Sequence, residues 1–224
     1  MHKGIGLLAG VIGFCALSAM PANAVQITSL AGLTSNDSID WSQLGPAGTG
    51  ITGAHAVISV GGVNATVSSG GNFLVRLDQG LGWFGNFANG DHLLYTGAIG
   101  PDITISFAQP VSGVGAQIQA NNLGSFGARV HLSNGDTFTE NGLSTTDADG
   151  SAIFLGSLDA TADIASITFT LDNAFFGGTN DFAIDKLFLN TTSTVKPVPE
   201  PSTLLLFGAG LAGFASMRRR KNNV

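Results

Sequence analysis

The chain has 224 residues, 44% hydrophobic and only 11% charged, with 32 glycines, one cysteine and a formal net charge of −6. That length suits one ordinary domain, and so few charges exclude coiled coils and highly charged disordered tails. The acidic balance argues against nucleic-acid binding, a single cysteine excludes a disulfide scaffold or thiolate zinc cluster, and glycine without a three-residue period excludes collagen while favouring tight turns.

Residues 1–24 read as a helical secretory signal peptide. Lys3 supplies the positive n-region, the stretch from Ile5 to Leu17 is apolar, and Ala22-Asn23-Ala24 is a small-x-small cleavage site. Cleavage between Ala24 and Val25 by Sec-type export machinery is the expectation. Cys15 would leave with the signal, so the exported domain would have no cysteine.

Residues 25–195 form the expected working domain. No helical periodicity is sustained there, whereas period-two alternation is plain. In Ile103-Thr-Ile-Ser-Phe107 the residues Ile103, Ile105 and Phe107 share one face. The segments from Ala128 to Leu132 and from Ile164 to Leu171 read the same way. Further strands are expected at Val57–Val60, Val63–Ser68, Phe73–Leu77, Val114–Gln119, Thr137–Glu140, Ala152–Leu155 and Phe182–Leu189. Turn signals separate them at Gly61-Gly62, Gly70-Gly71, Asn89-Gly90-Asp91, Gly100-Pro101-Asp102, Asn134-Gly135-Asp136 and Gly177-Gly178. Short strands at this spacing predict an all-β, two-sheet antiparallel sandwich, a jelly roll.

The tail, residues 196–224, has three parts: Val198-Pro199-Glu200-Pro201, an apolar helix over 202–217, and the basic cluster Arg218-Arg219-Arg220-Lys221. Two prolines hold the approach extended, and Ser202 or Thr203 can cap the helix. A helix of that length spans roughly 24 Å at about 1.5 Å per residue, short of a hydrocarbon core of about 30 Å. It suits a temporary stop better than a permanent transmembrane anchor, with the basic cluster on the cytoplasmic side.

This order closely resembles the PEP-CTERM sorting signal over residues 198–221. The resemblance implies an integral-membrane exosortase as processing partner. It also implies a transient stay in the inner membrane of a Gram-negative bacterium and delivery to the cell surface or extracellular matrix. Some proteins with such tails bind ice, and many are implicated in matrix or biofilm.

A second resemblance spans roughly residues 90–190, carried by Ile103-Thr-Ile-Ser-Phe107, Pro110-Val-Ser-Gly-Val-Gly-Ala116, Ala152-Ile-Phe-Leu-Gly156 and Phe182-Ala-Ile-Asp-Lys-Leu187. It looks like the galactose-binding-like jelly rolls of secreted bacterial proteins and implies a fold, not an activity. Jelly rolls often hold a structural calcium, for which Asp185 with Asn36, Asp37 or Asp40 is the analogous set. Plain turn-forming aspartates are the alternative, so no metal is assigned. The same alternatives apply to Asp147-Ala-Asp149-Gly150-Ser151, a partial calcium loop without the glutamate a full one needs.

No set of residues reads as catalytic, and the expectation is a non-enzyme without a cofactor. Three GxGxxG matches, at Gly48, Gly80 and Gly208, lack the βαβ context that a nucleotide site requires. Asp91-His92 could form a general base, but no nucleophile is set against it, and a turn carboxylate beside a surface histidine is the better reading. Glu140 is the single glutamate of the domain, which gives little material for a carboxylate pair. In the aromatic loop Leu81-Gly-Trp83-Phe84-Gly-Asn86-Phe87, an exposed Trp83 with Asn86 and Asp91 could bind sugar. The other reading has Trp83 and Phe84 plug one end of the sandwich.

Residues 25–197 hold 14 acids against four bases, a formal −10, because the other bases lie in the two end signals. Such a surface repels anionic polymers and points to neutral glycans or cation-mediated contacts. The expected function is therefore an exported, exosortase-processed surface or matrix protein, non-enzymatic and associated with exopolysaccharide or biofilm. The alternatives are a secreted carbohydrate-active enzyme and an ice-binding protein. The last needs a repeated Thr surface, yet Thr137-Phe-Thr139 and Thr168-Phe-Thr170 are isolated pairs in the sequence.

Overall fold

Sixteen strands occupy the described residues of the computed structural model, which are 24–70, 73–97, 102–172 and 181–191. In chain order they begin with β1 (Val25–Ile27), β2 (Asp37–Ile39), β3 (Gly50–Thr52), β4 (His55–Ile58) and β5 (Asn64–Ser68). There follow β6 (Phe73–Gln79), β7 (Gly82–Trp83), β8 (His92–Tyr95), β9 (Ile103–Val111), β10 (Gly113–Ala120) and β11 (Gly124–Leu132). The last are β12 (Thr137–Ser144), β13 (Ile153–Leu158), β14 (Ile164–Leu171), β15 (Phe182–Ile184) and β16 (Leu187–Asn190). Among the described residues helix is confined to α1 (Leu30–Leu33) and a 3-10 turn at Trp41–Leu44.

A ten-stranded sheet runs β1-β13-β10-β15-β8-β6-β3, with β16 lying between β10 and β2, and β7 beside β6. A six-stranded sheet runs β12-β11-β14-β9-β5-β4. Every pairing is antiparallel except β6 with β7. The fold is therefore all-β with two sheets, as the alternation predicts.

Packing follows from that alternation. Ile103, Ile105, Val130, Leu132, Ile167 and Phe169 are fully buried on the six-stranded sheet, and they share one core with Val114, Ile118, Leu94, Ile184, Leu187 and Leu189 of the ten-stranded sheet. Each such side chain contributes about 1.5–3 kcal/mol when removed from water.

Differences from expectation have local causes. The expected strand Phe182–Leu189 is two strands, interrupted at Asp185-Lys186. β8 has no alternation to announce it, because Leu93 and Leu94 point to opposite faces and both are buried. The start of β1 and the end of β16 share a row of the sheet. Val25 stands opposite Leu158, Leu158 opposite Gly113, and Gly113 opposite Asn190.

The expected signal helix (all but Ala24 of residues 1–24), the expected tail (196–224) and the turn glycines at 71, 100, 177 and 178 lie outside the described residues. Among the described residues no helix is long and apolar enough to cross a membrane.

Candidate functional site

A fork in the ten-stranded sheet gathers the titratable side chains. Along one side, β15 and then β16 pair with β10, through Ile118 opposite Ile184 and Gly115 opposite Phe188. On the other side the partner changes: β15 pairs with β8, whereas β16 pairs with β2. Asp185 and Lys186 sit at the switch. Asp40 directly follows β2, while Asp91 precedes β8 and His92 opens it.

Backbone bonds hold Asp185 in place. Its N–H donates to the Gln117 carbonyl at 3.1 Å, and its carbonyl accepts the indole N–H of the fully buried Trp41 at 2.8 Å. Asp40 caps the 3-10 turn by accepting the Ser42 N–H at 2.8 Å. The same oxygen lies 2.7 Å from His92 Nδ1, and Lys186 Nζ is 3.7 Å from the other. Asp91 accepts the Ala88 N–H at 2.8 Å, which closes its turn.

Electrostatics separate these carboxyls. Burial, reinforced by the charges of Asp91 and Asp40 against Lys186, pushes Asp185 up to about 6. Burial also works to raise Asp40, but hydrogen bonds from Ser42 and His92 outweigh it and hold the group down at about 2. Asp91 is raised, chiefly by burial. The fork thus sets burial against hydrogen bonding, the first raising Asp185 and the second lowering Asp40.

Calcium ligands do not converge as the analogous set requires. Asp37 spends its carboxylate on the Ser38 and Gly61 N–H groups, each at 2.7 Å, and on the Ser59 hydroxyl. Asn36 accepts the Thr191 N–H at 2.9 Å instead. Asp147 accepts the Thr145 hydroxyl at 2.7 Å and Asp149 the Ser151 N–H at 3.0 Å, so that loop is a hydrogen-bonded turn. Among the described residues no group of three or more His, Cys, Asp or Glu could hold a metal ion.

The aromatic loop covers the outer face of the ten-stranded sheet. Trp83 is only 4% exposed and packs with Phe87, Leu93, Ala152 and Ala183 in a cluster separate from the main core. Its ring centroid lies 5.4 Å from that of Tyr95 and 6.2 Å from that of Phe87. Trp83 is therefore neither an exposed sugar platform nor an end plug. Gly85 permits this approach, since a Cβ there would press on the Gln119 amide oxygen and the Trp83 indole nitrogen. Asn86 is buried as well: its amide donates to Thr145 Oγ1 at 2.9 Å and Ser151 Oγ at 2.8 Å, and its carbonyl accepts the Thr145 N–H. Of the three expected ligand contacts, only Asp91 lies at the fork. The exposed ring of the loop is Phe84, at 69%.

Asp91-His92 and Asp40 with Asp185 are legible as separate pairs, and the structure joins them. Trp41 and Lys186 carry no sequence signal beyond their neighbours. His55 and His131 stay apart, beside the Thr52 carbonyl at 3.1 Å and the Thr137 hydroxyl at 2.9 Å. Glu140 accepts from Gln26 Nε2 at 3.1 Å on the sandwich edge.

Comparison with known proteins adds the sorting signal. Residues 197–221 match the PEP-CTERM protein-sorting motif, and so contain Val198, Pro199, Glu200, Pro201 and the basic cluster. The motif implies exosortase-dependent export to the surface, with exosortase as processing partner and a transient membrane-anchored stage in a Gram-negative bacterium. No curated protein matches the chain. Among solved structures, CsCBM6-3 from Clostridium stercorarium in complex with cellobiose is similar at 10% identity, covering 65% of this chain and 88% of its own, with a TM-score of 0.23.

Proposed function

We propose that this is a non-enzymatic surface or matrix protein, a jelly roll that associates with extracellular polysaccharide once exosortase has processed its tail. The observation that carries the reading is the sorting motif at residues 197–221 following a two-sheet β domain. The acid excess of that domain supports it, because a domain released at the surface must stay soluble. Deleting Arg218–Lys221 or making Glu200→Ala should change the size and fractionation of the protein in a host that has exosortase. Unchanged size and location would overturn the sorting part. Loss of the protein from the matrix fraction of a polysaccharide-deficient strain tests the remainder.

A second reading, a carbohydrate-active enzyme, is favoured by the fork, where neighbouring carboxyls are driven to about 6 and about 2. Reducing-end release from a polysaccharide panel, abolished by Asp185→Asn, would establish it in place of the first.

A further inference from the structure

Thr137, Thr139, Thr168 and Thr170 are two separate pairs in the sequence, but sheet register brings them onto one surface. Thr137 stands opposite His131, His131 opposite Thr168, Thr168 opposite Thr104, and Thr104 opposite Ser68. One step along the strands, Arg129 lies between Thr139 and Thr170. One step the other way, Ser166, Ser106 and Thr66 form a third row. The intervening residues Val130, Ile167, Phe169, Ile105 and Val67 are fully buried in the core, so alternation turns these rows outward. Ser106, Arg129, His131, Thr137 and Thr139 are exposed, and Thr66, Thr104, Thr168 and Thr170 half-buried.

Rows of this kind repeat at about 4.8 Å across strands and about 6.7 Å along them. The Thr104 and Thr168 hydroxyls are 2.9 Å apart, as expected for neighbours on such a grid. No carboxylate stands among the paired residues of the three rows, and Asp102, which borders them two residues before Thr104, accepts the Gly70 N–H at 2.6 Å. Arg129 is ion-paired with Asp172. A near-neutral, hydroxyl-lined face thus sits on a domain with 14 acids and four bases over residues 25–197.

We propose that this outward face of the six-stranded sheet is a binding surface for a neutral polysaccharide chain. The inference rests on the polysaccharide reading above and assigns it a place and a ligand class. Hydroxyls both donate and accept, as sugar hydroxyls do, so each can pair with a glycan in either sense. Charge selects among glycans: the face offers a neutral chain no unpaired ion to desolvate, whereas the surrounding acid excess repels an anionic one. Twist selects too. Adjacent strands rotate by about 20–25°, so the hydroxyl rows do not lie in one plane. A flexible polymer can follow them, but a rigid ice lattice cannot.

The test uses the exported protein purified from its host, run in native gels containing dextran, hydroxyethylcellulose or galactomannan, and in gels containing dextran sulfate. The variant Thr66→Val/Thr139→Val/Thr168→Val removes three hydroxyls while keeping β-branched shape, so the sheet is retained. Circular dichroism and melting temperature confirm its fold. Retardation by at least one neutral polymer, weakened about tenfold or more in the triple variant, is the expected result. Equal retardation of both proteins, or loss in Phe84→Ala instead, overturns the assignment of the face and leaves polysaccharide association standing. Retardation by dextran sulfate alone does the same. No retardation by any polymer overturns both. Inhibition of ice recrystallisation that the triple variant loses, without retardation by glycans, would give the face to ice and overturn the inference.

Discussion

At Trp83 the ring and its N–H make opposite contributions. The ring fills the outer cluster against Tyr95 and Phe87, but the buried indole nitrogen has no hydrogen-bond partner among the described residues. Trp83→Ala should therefore cost about 3–5 kcal/mol in chemical denaturation, whereas Trp83→Phe, which removes only the unpaired donor and part of the ring, should cost less than about 1.5 kcal/mol. Asp185 makes a second measurable prediction. Its carboxyl is raised from 3.8 to about 6, so between those values the folded chain holds a proton that the unfolded chain has released. Stability should fall as pH rises through that window, by about 2–3 kcal/mol in all. Asp185→Asn should flatten the slope in urea melts taken from about pH 4 to pH 7. Asp40, held down at about 2, has the opposite sign, and its contribution disappears as pH falls below the usual carboxylate range.

Among the elements, β9 and β14 are readable from sequence because one of their faces is wet and the other dry, which writes period two into the residues. β8 is not, since packing on both faces erases the alternation at Leu93 and Leu94. The pattern of Phe182–Leu189 is continuous enough to hide the switch at Asp185-Lys186, where the strand exchanges one neighbour for another. For the same reason the fork is readable only in pieces, Asp91-His92 from adjacency and Asp185 with Asp40 from a family resemblance, and not as one cluster. Asp40, Asp91 and Asp185 stand far apart in the chain, and their joining with His92 and Lys186 is set by strand order, which no local pattern encodes. Close strand approach is likewise local only in part: Gly115 stands opposite Gly156, with the Phe154 ring across the gap. A Cβ on Gly115 would lie 2.7 Å from that ring, and one on Gly156 would lie 2.5 Å from the Val114 carbonyl. Gly115→Ala should destabilise by about 1–3 kcal/mol, with partial recovery in Gly115→Ala/Phe154→Leu, because the ring is the part that can be trimmed. Gly156→Ala should not be rescued that way. Thermal melts of the two single glycine variants, each with and without Phe154→Leu, would decide the point.

For the molecule as a whole, the acid excess is a cost that salt relieves. Raising ionic strength from about 0.01 M to about 0.1 M shortens the screening length from about 30 Å to about 10 Å. A rise of about 2–4 °C in melting temperature, the response of a domain this size to about 1 kcal/mol, is expected in low-buffer scans. The row that links Val25, Leu158, Gly113 and Asn190 has a consequence for how the domain is presented. Its entering and departing strands open at the same pole, separated by three strand spacings, or about 14 Å. Among the described residues the chain therefore enters and leaves the domain at one pole. A pull on the chain at Thr191 would load that pole first, through the edge-to-edge row of four strands and not through the opposite turns. The Thr and Ser rows belong to the other sheet, so that load does not pass through them.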